Sequence, residues 1–218
     1  MNAVHDGVML RRSMELESTV MLLSPARLDG RRAEILMNPD ADFPIANDLR
    51  SSEGASLGSV FSFLSGLYFR GKATYAREFA RGPKGLPNAL VITAGGGLCP
   101  LDEPVTLDRL RGWSRVSVHE DNPHFTAPLF RHASELLSTH GRAARFVLLG
   151  SVATNKYVGP LLEVFGDALL FPRDFSSLGD MSRGALLLRA AREKHELSYL
   201  PVSEALFDGT RRHRASRR

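Results

Sequence analysis

Two loops of this chain gather side chains able to hold an anion and move a proton. The stretch Gly150–Lys156, GSVATNK, follows an apolar run and opens a helical pattern. Ser151, Thr154 and Asn155 supply polar side chains, a helix start supplies unpaired backbone N–H groups, and Lys156 adds positive charge. That combination suits a phosphate. The stretch Arg173–Gly184, RDFSSLGDMSRG, carries Asp180, Ser182 and Arg183 just ahead of the helix-like run ALLLRAAREKHE. Asp180 can serve as a general acid or base or hold a sugar hydroxyl, and Arg183 can bind a phosphate or orient the aspartate. Both loops also have a plainer use, because Ser151, Thr154, Asp180 and Ser182 all suit helix N-caps.

Other residues extend this set. VITAGGGLCP runs from apolar residues into Gly95, Gly96 and Gly97, where missing side chains would let a ligand approach the backbone. Arg70 and Lys72, with Tyr75, leave the apolar stretch Gly54–Phe69 together and are candidate phosphate or carboxylate ligands. Neither the phosphate-cradling G-x-x-x-x-G-K-S/T spacing nor the dinucleotide G-x-G-x-x-G order is present. A G-x-S-x-G nucleophile elbow is also missing. His119, Glu120, Asp121 and His124 crowd into HEDNPHF, but Asn122-Pro123 marks a turn there, and a solvated acidic loop is expected rather than a metal site. No metal and no cofactor is therefore expected. Cys99, the only cysteine, has no catalytic context and can form no intrachain disulfide.

These loops need a scaffold, and the sequence supplies a recurring unit of apolar strand, small-residue loop and helical pattern. Strands are predicted near Thr19–Leu23, Asn88–Thr93, Arg145–Leu149 and Asp167–Pro172, with LSYLPV (Leu197–Val202) as a fifth. Continuous apolar strands alternating with helices predict an α/β fold. The expected form is a Rossmann-like three-layer sandwich, a mainly parallel sheet of about four to five strands with helices on both faces. In such sheets the loops at the carboxyl ends of the strands line the ligand crevice. Ser24–Arg27, Ala94–Gly97, Gly150–Lys156 and Arg173–Gly184 should therefore converge. Between the first two strands, Gly58, Gly66 and Gly71 interrupt helical spacing, while Phe61, Leu64, Leu67 and Tyr68 read as core.

The bulk composition, 43% hydrophobic and 24% charged, is that of a globular protein. Residues 1–210 are expected to form one α/β domain. The tail Arg211–Arg218 holds five arginines; without them the formal net charge of +4 becomes −1 for the preceding residues. Such a tail would touch nucleic acid weakly and non-specifically, or remain solvated. The N-terminus does not read as a secretory signal. Gly54–Phe69 is short of the roughly 20 apolar residues a membrane span requires. No membrane association and a cytoplasmic location are expected.

LYFRGKATYAREFA followed by ALVITAGGGLCPLDEPVTLDRL resembles the peroxide-stress proteins of the YaaA type and the uracil-glycosylase-like domain of archaeosine synthases. Leu67, Tyr68, Tyr75, Ala76, Ala94, Gly97, Leu98, Pro100 and Leu107 stand where their pattern places such residues, over Leu67–Leu110. Glycine replaces the lysine expected near the strand end, at Gly95 or Gly96, and the PYD element is missing. The resemblance implies a Rossmann-like fold and a nucleobase or nucleic-acid connection. Together with the loops it leads to a nucleotide-, nucleoside- or nucleobase-binding protein that cleaves or transfers at an N-glycosidic bond, with Asp180 as acid/base. The alternatives are a non-catalytic nucleic-acid-binding protein using the basic tail, and a structural or partner-binding α/β protein.

Overall fold

A computed structural model describes residues 18–153 and 155–204. The chain opens with β1 (Thr19–Leu23), whose five residues TVMLL are all buried. Two short helices, α1 (Arg31–Met37) and α2 (Pro44–Arg50), lead to β2 (Ala55–Ser56) and then α3 (Leu57–Ser65) and α4 (Leu67–Phe79). A hairpin comes next, β3 (Ala89–Thr93) and β4 (Gly97–Pro100), then β5 (Pro104–Val105), α5 (Leu107–Ser114) and α6 (Pro123–His140). The last part is β6 (Arg145–Leu149), α7 (Asn155–Phe165), β7 (Leu169–Pro172), α8 (Asp180–Arg192) and β8 (Tyr199–Pro201).

The protein is mixed α/β, with a six-stranded sheet in the order β4-β3-β1-β6-β7-β8. β3, β1, β6 and β7 run parallel, while β4 and β8 are antiparallel additions at the two edges. The parallel strands are nearly continuous apolar runs, which requires cover on both faces. Val20–Leu23, Leu90–Ile92 and Phe146–Leu149 are all buried. β2 and β5 form a separate two-stranded pair. Among the described residues no helix is long and apolar enough to cross a membrane.

The four parallel strands and β8 lie where the sequence places them. β4 corrects the expectation of four to five strands. GLCP looks like loop because it begins at the last of three consecutive glycines, yet Thr93 pairs with Gly97 and Leu90 with Pro100 across a tight turn. A three-residue hairpin with a positive-φ glycine is a standard way to reverse a strand, and Gly97 has φ +66°.

Two packing features fix the place of α4 against the rest of the fold. α4 and α8 cross at glycine: a Cβ on Gly71 would lie 2.6 Å from Gly184 O, and one on Gly184 would lie 2.8 Å from Tyr68 Cα. The helix-weakening glycine at 71 thus permits backbone-to-backbone contact between two helices. In addition, Tyr75 Oη shares a 2.6 Å hydrogen bond with Tyr199 Oη and accepts one from Leu197 N–H at 2.9 Å. These bonds tie α4 to the entry of β8. Tyr75 is fully buried and does not line a crevice.

Candidate functional site: a buried lysine at the sheet switch point

Leu23 and Leu149 are in register, so β1 and β6 end level and Ser24 lies beside Gly150. From β1 the chain moves toward β3; from β6 it moves the other way, toward β7. Open parallel sheets bind ligands at the carboxyl ends of their strands where such a reversal occurs. The sheet order alone therefore singles out the strand ends at Ser24 and Gly150.

A buried lysine reaches those strand ends. Lys72 Nζ donates to Ser24 O at 2.7 Å and is 2.9 Å from Ser24 Oγ. Its ammonium lies 4.5 Å from the Tyr68 ring centroid and 4.9 Å from that of Phe69. Lys72 is only 1% exposed, Ser24 6%, Tyr157 7% and Tyr68 8%. An ammonium without bulk water is costly, and a buried lysine responds by losing its proton more readily. Burial pushes Lys72 down to about 7, and the negative charge of Asp180 pulls it partly back.

The surrounding residues are equally specific. Tyr157 Oη donates to Ser151 O at 3.1 Å. A Cβ on Gly150 would come within 2.7 Å of Ser24 Cβ, 3.0 Å of Ser24 Oγ and 3.2 Å of Tyr157 Oη, so glycine there leaves room for the serine and the phenol. Tyr68 Oη is inaccessible to solvent and has no hydrogen-bond partner among the described residues. A buried, unpaired hydroxyl is uncommon, since leaving it unmade forfeits roughly 1–3 kcal/mol. Burial raises the phenols of both Tyr68 and Tyr157, so they remain protonated donors.

The expected site residues divide into two groups. Ser151, Asp180 and Arg183 stand around the Lys72 cluster. Ser151 does so through its carbonyl, and its Oγ accepts from Ala153 N at 3.2 Å. Asp180 is the first residue of α8, has a 70% exposed side chain and lies 3.4 Å from Arg183 Nη1. Arg183 Nε and Nη2 donate to Phe175 O at 3.1 and 2.8 Å, fastening the β7–α8 connection. Asn155 and Lys156 are exposed in the first turn of α7, and Asn155 folds against Gly159 of its own helix. Ser182 is exposed on α8. Thr154 and the tail Arg211–Arg218 lie outside the described residues.

The remaining candidates are placed elsewhere. Gly95, Gly96 and Gly97 pack against protein. A Cβ on Gly96 would lie 2.8 Å from Thr93 Oγ1 and 2.9 Å from the Trp113 ring, and one on Gly97 would lie 2.6 Å from Pro128 O. The space left by these glycines is filled by α5, α6 and the turn itself. Arg70 and Lys72 also part company. Arg70 lines an open cavity of about 430 Å³ with Ser59, Ser62, Thr74 and Arg77, while Lys72 points into the sheet. Two positions apart on one helix cannot share a face. In HEDNPHF, Asn122 caps α6 by accepting from His124 N at 3.2 Å, and His119 Nδ1 pairs with Asp121 at 3.5 Å. Among the described residues no group of three or more His, Cys, Asp or Glu could hold a metal. Burial pushes the Cys99 thiol up, as expected of a core cysteine.

Sequence reasoning placed the Ser24–Arg27 loop at the strand ends without singling out Ser24, missed Tyr157, and took Tyr68 as core. The available signal was Ser24 itself, the first polar residue after the fully apolar strand VMLL.

No family model matches this chain, and no curated protein or solved structure is significantly similar to it. Fold and site together define a mixed α/β protein with a buried, titratable polar cluster at the strand ends of a mostly parallel sheet.

Proposed function

We propose that the crevice above the carboxyl ends of β1 and β6 binds a nucleotide-, nucleoside- or nucleobase-type small molecule. The observation that carries this reading is the placement together, at the sheet's switch point, of Lys72, Ser24 and a Tyr68 hydroxyl unpaired among the described residues. A donor unpaired among the described residues, beside a near-neutral amine, is suited to polar ligand atoms, and Asn155 and Lys156 in the first turn of α7 and Arg183 in that of α8 could add contacts. The reading takes the scaffold as a Rossmann-like three-layer sandwich, which puts a helix N-terminus, that of α7, beside the crevice. Cleavage or transfer at an N-glycosidic bond is the reaction this reading assigns, with Asp180 as acid or base.

A thermal-shift screen against nucleosides, nucleotides and phosphorylated sugars tests it, because a ligand that binds only the folded state raises apparent stability. At least one class should raise the melting temperature, and Lys72→Met should abolish the shift. A shift that persists unchanged in the variant would remove Lys72 from the site. No shift from any class would favour the partner-binding alternative. Release of free base from a nucleoside, lost in Asp180→Asn, would support the glycosidic reaction.

A further inference from the structure

We propose that Ser24 is a nucleophile and Lys72 its general base, acting on the carbonyl carbon of an ester or amide. The proposal shares the crevice described above but goes beyond the ligand reading and does not require the substrate to be a nucleotide.

Geometry carries it. Nζ lies 2.9 Å from Ser24 Oγ and 2.7 Å from Ser24 O. The carbonyl can only accept, so one amine N–H faces it. The lone pair of a neutral amine is then free to receive the Oγ proton. The walls around the amine are aromatic, Tyr68 and Phe69, and Lys72 has no carboxylate within ion-pairing distance among the described residues. Burial therefore holds the amine near neutrality rather than locking it as an ammonium. Tyr68 Oη supplies a second element, a buried donor with no hydrogen-bond partner among the described residues. Such a donor is suited to the negative charge that develops on an attacked carbonyl oxygen.

The sequence balances with water as the only co-reactant. The Ser24 Oγ–H proton passes to Lys72 Nζ as the Oγ–C bond forms, and the C=O π pair moves onto oxygen. Collapse of the tetrahedral species breaks the bond to the leaving group, which takes the proton back from the Lys72 ammonium. Water then repeats the sequence on the acyl-serine: its proton goes to Nζ, the acid departs, and Oγ recovers its hydrogen. Serine–lysine pairing of this kind is one of the chemical variants of the serine–histidine arrangement.

The full chain treated with an alkyl fluorophosphonate tests the proposal, with the adduct located by peptide mass spectrometry. The expected result is a single adduct on Ser24, fluoride having left. Its rate of formation should rise with pH through about 7 as Lys72 deprotonates. The groups facing Lys72 are Tyr68 from α4, Tyr157 from α7, and Asp180 and Arg183 from α8. Since Asp180 raises the lysine's affinity for its proton, Asp180→Asn should move the midpoint of the rate profile to lower pH, a shift that a purely structural lysine would not produce. Lys72→Met should slow labelling about 100-fold or more, with its folding checked by thermal unfolding. If that variant does not fold, the wild-type profile and the Asp180→Asn shift decide the matter.

Absence of an adduct on Ser24, a flat pH profile, or equal labelling of folded Lys72→Met overturns the proposal. Stabilisation by a nucleoside or nucleotide with no Ser24 adduct overturns this inference and leaves the ligand reading standing. An adduct without any such stabilisation does the reverse.

Discussion

Two places along the carboxyl edge of this sheet have opposite fates. At β3 the chain turns through Ala94, Gly95 and Gly96 straight into β4, and the glycines are covered by Trp113, Val116, Pro128 and His132. At β1 and β6 the chain leaves the sheet on both sides of Gly150, and Ser24, Lys72, Tyr68 and Tyr157 occupy the space. Both ends contain glycines that cannot accept a side chain. The difference is what approaches them: protein backbone and rings at the first, a serine hydroxyl and a phenol at the second. A glycine records close approach and does not by itself say who approaches.

The contrast between the two ends should vanish altogether when the scaffold that brings Lys72 to the strand ends is disturbed. Gly71→Val would drive a side chain into Gly184 O, 2.6 Å from the new Cβ. Backbone cannot yield as a flexible side chain does, so a loss of about 3 kcal/mol or more is expected in chemical denaturation. Ser24 labelling should disappear with it.

A pH titration of stability isolates the charged end of the pair. The folded-state pKa of Lys72 is depressed to about 7 from 10.5, so between those values the unfolded chain holds a proton that the folded chain has released. Stability must then rise with pH from about 7, and below it the cost of the buried charge is present in full. Up to about pH 9.5, short of the tyrosines, that rise amounts to about 3 kcal/mol at roughly 1.4 kcal/mol per unit. Lys72→Met should flatten it in urea melts; an unchanged slope would mean that the lysine keeps an ordinary pKa.

At the other strand end, Gly97→Ala strains a φ of +66° and brings a Cβ to 2.6 Å from Pro128 O. A loss of about 2 kcal/mol is expected in urea melts, with ligand binding and Ser24 labelling unaffected. If Gly97→Ala instead abolished ligand binding while remaining folded, the glycine turn would be part of the site after all. The smallest effect belongs to Asp180→Ala. Its carboxylate is 70% exposed at a helix N-terminus and pairs with Arg183, so its contribution to stability should stay below about 1 kcal/mol. Its effect on nucleobase release should be much greater if the acid/base role holds.

The parallel core was legible because buried strands on both faces write themselves as unbroken apolar runs: TVMLL, ALVIT and RFVLL have few other solutions. The edge strand β4 was not. Its four residues begin with the last of three glycines, and pairing across a hairpin leaves no periodic trace at that length. Asp180 and Arg183 were legible as a polar loop near a strand end. Lys72 was visible as a charge leaving an apolar helix, but its inward direction was not. That direction depends on the Gly71–Gly184 crossing, a contact between residues more than a hundred positions apart. Pairing Arg70 with Lys72 has a local cause instead: residues two apart on a helix stand on different faces.

If ligand chemistry resides at the β1/β6 strand ends, backbone amide chemical-shift mapping during titration with nucleosides and nucleotides will locate it. Perturbations should centre on Ser24, Ala26, Gly150–Ala153 and Asp180–Gly184, with the amides of Gly95–Gly97 unmoved. Perturbations confined to the glycine turn, or to the cavity lined by Arg70 and Arg77, would contradict that placement.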